Sequence, residues 1–280
     1  MLSWFAKRKT DPKRVLDQVL GSFELPSFPV VVTEAMRQLR DPELSLSDIA
    51  TGLMRDPKVT VRILNLANSP AYSLRHPVRN VQHAVSLLGR SEVEALLLSV
   101  AVRGVMPKTP RWFDDARFWQ ASARRAASAR ALAKKLHPST ANEAFTAALL
   151  QDMAVPLLAK ARKEYRAVRD AWAGGDDPLG ELERDRLGFD HATIAAAMSE
   201  RWGFPEKLIV AIGGHHEQSD DIPPSVRIVA ELEEIDAEED DLDVLVSVAH
   251  DDYGLQEDDA ETLLEAAFAE ADQVASALTG

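Results

Sequence analysis

The sequence contains no cysteine. That excludes a disulfide framework and any thiolate chemistry, catalytic or metal-binding, and it suits a reducing, cytoplasmic setting. No apolar run approaches the roughly 18–20 residues of a membrane-spanning helix, so no span is expected. A secretory leader places positive charge ahead of a longer apolar core. Here "MLSWFAKRKTDPKRVL" puts a short apolar patch first, so no such leader is expected. β-branched runs bounded by turn residues are scarce, which argues against a sheet. The stretch "WAGGDDPLGELE" has glycines but no following Lys-Ser/Thr, so it is not a phosphate loop. Residues 231–280 have no Lys or Arg, yet hold 18 Asp and Glu. The net charge of −13 is therefore a property of the C-terminal part, because residues 1–230 carry 27 acids against 32 bases, a net of +5. Such a segment reads as a solvated helical face with a loop, or as a decoy for basic surfaces.

What remains is rich in alanine and leucine, at helical spacing. "VTVRILNLANS" (59–69), "VQHAVSLLG" (81–89) and "SEVEALLLSVAV" (91–102) fit a 3.6-residue period. Ser45 and Ser47 can cap a helix over about 46–55; Asn80 can cap the next, which Gly89 ends. Pro57, Pro70, Pro77, Pro107, Pro110 and Pro138 punctuate the periodic segments. The expected fold is all-α, a multi-helix bundle of 280 residues with a substantial core. The organisation expected is an N-terminal segment 1–19, a main domain 20–217 divided into 20–110 and 111–217, and an acidic helical extension 218–280. "ELEEIDAEEDDLD" (231–243) is the best linker candidate. In the C-terminal helix Leu263, Leu264, Ala267 and Phe268 share one face, which predicts packing back on the body. Trp4 and Phe5 beside Lys7, Arg8 and Lys9 could touch a membrane surface, but the segment is too short to bind strongly alone.

One polar pair, Gln151-Asp152, interrupts the small and apolar stretch "AFTAALLQDMAVPLLAK" (144–160). It belongs to an ordered series: "FELPSFPVVV" with its LP-x-x-P, a first Asp-Pro, then "DPKVTVRILNLANSPAY", "VRNVQHAVSLLG", "FWQASARRAA", and finally "GFDHATIAAAMSERWGFPEKLIVAIGGHHE". Together these resemble the HDOD family, an all-helical relative of the HD and HD-GYP metal-dependent phosphohydrolases, over roughly residues 20–217. The resemblance implies a bacterial signalling module whose metal ligands have been lost. It also implies protein partners, among them histidine-kinase or cyclic-di-nucleotide pathway components, and no cofactor.

The same resemblance assigns the vestigial ligand positions. Where the first HD histidine belongs stands Ala121. Where the His-Asp pair belongs stands Gln151-Asp152. His191 matches a downstream His, His215-His216 the adjacent pair, and Glu231 the last acidic position. An alanine donates nothing and a glutamine carbonyl is a weak, neutral donor. A full structural zinc set is worth about 10 kcal/mol or more, so losing two imidazoles should empty the site. Non-catalytic signalling through protein contacts is therefore the expectation. A residual phosphohydrolase holding a metal on Asp152, His191, His215, His216 and Glu231 is one alternative. A cyclic-di-nucleotide or anion sensor using Arg124, Arg125 and the histidines is another.

The bland readings compete with these. Asp152 is expected to fix a helix junction through backbone or arginine hydrogen bonds, His191 to be a cap-region or core histidine, and His215-His216 to be a satisfied structural pair. The cations of "RRAASARALAKK", Arg124, Arg125, Arg130, Lys134 and Lys135, are expected on a solvated helix face. They lack the aromatics or motif of a nucleic-acid site, so no nucleic-acid partner is expected.

Overall fold

The computed structural model describes residues 12–21, 24–72, 74–175, 177–217, 219–232 and 242–279. Among these every regular element is a helix. In order they are α1 (Pro12–Leu20), α2 (Val30–Leu39), α3 (Leu46–Leu53), α4 (Pro57–Ala67), α5 (Val81–Val105), α6 (Asp115–Leu136), α7 (Ala141–Leu150), α8 (Ala154–Ala161), α9 (Tyr165–Ala173), α10 (Leu179–Leu187), α11 (His191–Arg201), α12 (Glu206–Gly213), α13 (Pro224–Val229), α14 (Leu242–Asp251) and α15 (Glu257–Thr279).

Local chemistry starts these helices where the sequence says it should. Ser45 accepts from the Asp48 amide to begin α3. In the second Asp-Pro, Asp56 accepts from the amides of Lys58 and Val59, while Pro57 occupies the first turn, where its missing N–H costs nothing. The first Asp-Pro works differently: Asp41 turns the chain by accepting from the Glu43 amide. Asn80, Asp114 and Asp190 cap α5, α6 and α11 in the same way. Each such cap stabilises by about 1 kcal/mol. Gly89 breaks α5 rather than ending it: with φ 78° and ψ 175° it inserts a kink, and the helix resumes to Val105. A side chain at that φ would be strained.

The core is continuous across the expected 110/111 boundary. α4 and α5 pack on one another, α5 also packs on α7, and α6 lies between α7 and α15. α1 lies along α11, so the N-terminal helix docks on the second half of the domain.

The acidic C-terminal helix does pack back. Ala260, Leu264, Ala267, Phe268, Ala271, Val274 and Leu278 are buried on one face of α15, at helical spacing, while Leu263 is half-buried beside them. Its acids stay outward: Asp272 accepts from Gln120, and Phe268 takes the Arg124 guanidinium over its ring at 5.2 Å. The linker expectation at 231–243 falls largely on 233–241, and the membrane-touching Trp4 and Phe5 fall on 1–11; both lie outside the described residues.

Two expectations are corrected. Pro138–Ala161 is long and apolar enough for a span by length and composition, with mean hydropathy 1.2, although no such run was expected. Its hydropathy has another cause, since 89% of it is buried inside the fold and it is broken at residues 151–153. The cationic stripe on α6 is not one solvated face. At about 100° per residue its members spread around the helix. Arg125 is fully buried, Arg130 lies 3.4 Å from Glu92 and over the Tyr72 ring, and only Lys134 and Lys135 are exposed.

Candidate functional site

The corner between α7 and α8 is built from buried residues throughout. Gln151 closes α7, the Met153 amide bonds the Leu150 carbonyl, and the Asp152 carbonyl accepts from Val155 to start α8. Pro156 falls in that first turn, where it is tolerated. Asp152 is thereby fixed in the protein interior at 1% exposure.

Three other elements converge on its carboxylate. Arg125, from the middle of α6, brings a guanidinium nitrogen to 2.9 Å from Oδ2. His191, the first residue of α11, brings Nε2 to 3.2 Å from Oδ1. His215, just beyond α12, brings Nε2 to 3.3 Å from the same oxygen. His216 completes the group, with its Nε2 3.1 Å from that of His191 and its ring 4.0 Å, centre to centre, from that of His215. The helix end at Gly213-Gly214 lets both adjacent histidines face one point, which a continuing helix forbids.

Behind His191 stands a second carboxylate that the sequence reading missed. Glu183 on α10 accepts from His191 Nδ1 at 2.7 Å, from the His191 backbone amide at 2.6 Å and from the Tyr165 hydroxyl at 2.5 Å. Three donors on one buried carboxyl group fit its ionised, acceptor-only form. The signal was the Glu in "ELERDRLGFDH", eight residues before His191. Gly188 ends α10 in the left-handed conformation at φ 81°, and the turn returns the chain so that the two meet.

Electrostatics follow from these contacts. Burial alone would raise the Asp152 carboxyl, but the Arg125 charge and the hydrogen bonds from His191 and His215 hold it well below the usual carboxylate range. Burial alone would lower His191, but Glu183 and Asp152 hold it well above the ordinary imidazole value. The His216 ring edge is enclosed although the residue reaches solvent. That burial, with His215 and His191 beside it, pushes His216 down. His216 then accepts from His191. His215 Nδ1 lies 2.7 Å from the Ile212 carbonyl, which can only accept, so Nδ1 carries the hydrogen and Nε2 faces Asp152. His191 thus lies between the Asp152 and Glu183 carboxylates, and Arg125 lies against the other oxygen of Asp152.

Of the sequence-derived positions, Asp152, His191, His215 and His216 come together, with potential ligand atoms all within 4.8 Å of one another. Gln151 is buried beside them, and its Oε1 has no hydrogen-bond partner among the described residues. Ala121 is buried on α6, one turn before Arg125. Glu231 does not join: it is exposed just past α13, and the grouped ligand atoms do not include it. One carboxylate and three imidazoles could in principle ligate a transition metal. In this arrangement, however, Arg125 already lies against Asp152 Oδ2, so a dication bound there would meet a resident cation.

The HDOD domain profile matches residues 25–218. The chain belongs to the HDOD family. A protein of Treponema pallidum (strain Nichols), described as uncharacterized, is 26% identical to it over 197 residues, 69% of this chain. The match spans 38% of that relative's length. Three crystal structures share the fold. A candidate phosphohydrolase from Shewanella amazonensis SB2B superposes with a TM-score of 0.75 at 22% identity, covering 95% of this chain and 97% of its own. A Geobacter sulfurreducens HDOD domain protein of unknown function gives 0.67 at 20% identity, covering 96% and 98%. A candidate signal transduction protein from Marinobacter aquaeolei VT8 gives 0.70 at 20% identity, covering 96% and 66%. At these identities the likeness is one of fold. The HDOD domain here is thus an all-α, HD-domain-like bundle in which Asp152, His191 and His215 are buried and His216 reaches the surface.

Proposed function

We propose that this HDOD chain is a non-catalytic, cytoplasmic signal-transduction module that works by binding other signalling proteins, among them components of histidine-kinase or cyclic-di-nucleotide pathways. The observation that carries this reading is the ligand set. Alanine and glutamine stand at 121 and 151, so two of the imidazoles a hydrolytic metal would need are missing. A hydrolytic metal must acidify a bound water and hold it in line with a phosphorus, and a set this depleted is a poor platform for either task. Family membership and the signal-transduction name of one structural relative support the regulatory part of the reading.

The surviving cluster of Asp152, His191, His215 and His216 favours one competing reading, a residual metal-dependent phosphohydrolase. Elemental analysis of protein purified without chelator or metal resin separates the two. The module is expected to carry under about a tenth of an equivalent of any transition metal. It is also expected not to turn over cyclic di-nucleotides, cyclic mononucleotides or (p)ppGpp. Near-stoichiometric metal, with turnover lost in Asp152→Ala, would establish the hydrolase instead.

A further inference from the structure

The cluster has a feature that loss of ligands does not explain. An HD-type site that merely lost two histidines would leave two buried carboxylates, Asp152 and Glu183, sharing the charge of His191, and an under-compensated buried charge costs several kcal/mol. Here the counter-charge is supplied by Arg125. It lies four residues after Ala121 on α6, on the same helix face. Helical side chains lean toward the N-terminus, so Arg125 reaches back over the turn that holds Ala121. Its nitrogen also lies 3.5 Å from the Ser122 hydroxyl in that turn. The guanidinium thus fills space next to the missing imidazole and meets Asp152 Oδ2 at 2.9 Å, with both side chains essentially without solvent exposure.

We propose that Arg125 is the resident cation of this cluster, holding the carboxylate that a divalent ion would otherwise take. In consequence, neutralising residue 125 uncovers a latent transition-metal site formed by Asp152, His191, His215 and His216. This inference rests on the non-catalytic reading above. Three observations bear on it. The four candidate ligand atoms lie within 4.8 Å of one another, close to the spacing of donors that share one ion at bond lengths of about 2.0–2.2 Å. Three imidazoles and a carboxylate are donors of the kind that cobalt(II) and zinc(II) accept. A guanidinium cannot shed its charge, and one held 2.9 Å from a ligand oxygen repels any dication bound there. Arg125 therefore does in a fixed way what a metal does reversibly: it ties α6 to the α7–α8 corner.

The test titrates cobalt(II) into the full chain and follows the visible d–d absorption of the bound ion and the melting temperature. Wild type and Arg125→Lys, which keeps the charge, are expected to show no protein-bound cobalt band and no thermal shift. Arg125→Gln is expected to develop the band, to gain melting temperature with cobalt, and to bind it about 100-fold or more tightly than wild type. Adding Asp152→Asn to Arg125→Gln should abolish both signals. A folded Arg125→Gln that binds no cobalt overturns the inference and leaves the non-catalytic reading standing. If Arg125→Gln folds only when cobalt is present, the inference holds; if it does not fold even with excess cobalt, the metal cannot replace the guanidinium and the inference fails. Wild type that takes up about one equivalent of cobalt, lost in Asp152→Ala, overturns both.

Discussion

Two polar clasps hold this molecule together, one at the surface and one in the interior, and they are built on opposite principles. In the first half of the domain, Asn68 at the end of α4 reaches the loop before α5: its side-chain NH₂ donates to the Val78 carbonyl at 2.9 Å, and its carbonyl accepts from the Val78 amide at 2.7 Å. That clasp is neutral, reciprocal and complete with two partners. In the second half, Asp152 draws α6, α11 and the end of α12 onto one carboxylate and relies on formal charges that must balance. A neutral clasp can be lost at the cost of its hydrogen bonds. A charged one, once broken, leaves an ion stranded in the interior.

The largest expected effect follows from that contrast. Asp152→Ala removes the carboxylate that Arg125 meets and one of the two that flank His191, so it should destabilise by about 3–5 kcal/mol in denaturant unfolding. Asn68→Ala should cost about 1 kcal/mol, because the part-buried backbone groups of Val78 exchange two hydrogen bonds for water. Equal losses from the two substitutions would erase the distinction between the clasps. Asn68→Asp sharpens it: the carboxylate can still accept from the Val78 amide, but it meets the Val78 carbonyl with no proton to donate. It should be at least as damaging as alanine.

A pH series probes the charged clasp alone. His191 is held well above the ordinary imidazole value by Glu183 and Asp152. Its folded value is raised, so the stability it contributes is fully present below the unfolded value of about 6.5 and is lost as pH rises through the folded one. In that window the folded chain binds more protons than the unfolded chain, and stability falls with increasing pH. Glu183→Gln removes the larger of the two charges that sustain the shift. Unfolding free energies measured from about pH 6.5 upward should then decline less steeply than in wild type. An unchanged slope would mean that Glu183 does not set the protonation of His191.

The two clasps also differ in how far the sequence revealed them. The helices of the first half were legible because their signals are local: Ser45 and Asn80 announce a cap within three residues. The gathering of Asp152, His191, His215 and His216 was legible only through the resemblance to HD proteins, since their spacings of 39, 24 and 1 residues carry no periodicity of their own. That an arginine would hold Asp152 at a helix junction was legible, but not that Arg125 alone would do so, and the Glu183 contact was not legible at all. Arg125 sits among five other cations on α6, and only burial picks it out; Glu183 reads as an ordinary acid in a charged, amphipathic helix. Glu231 was misplaced because an acid in "RIVAELEE" matches a pattern, while whether the chain turns inward there is a tertiary fact. Gly89 was seen as a stop and proved a kink, because packing of α5 on both α4 and α7 carries the helix past a residue that local preference alone would make its end.

The smallest expected effect tests whether the neutral clasp is one unit or two. Asn80 lies two residues beyond Val78 and caps α5 by accepting from the His83 amide at 2.7 Å. Asn80→Ala alone should cost about 1 kcal/mol, and Asn80→Ser, which still caps, should stay close to wild type. Asn68 fixes Val78 and so fixes the extended residue from which Asn80 must reach back. If the clasp positions the cap, the double substitution Asn68→Ala with Asn80→Ala will cost less than the sum of the singles by about 0.5 kcal/mol or more, because the cap is already weakened once Val78 is released. Strict additivity in a double-mutant cycle would mean that the helix start is set by its own residues. The neutral clasp would then differ from the Asp152 cluster in connectivity as well as in charge.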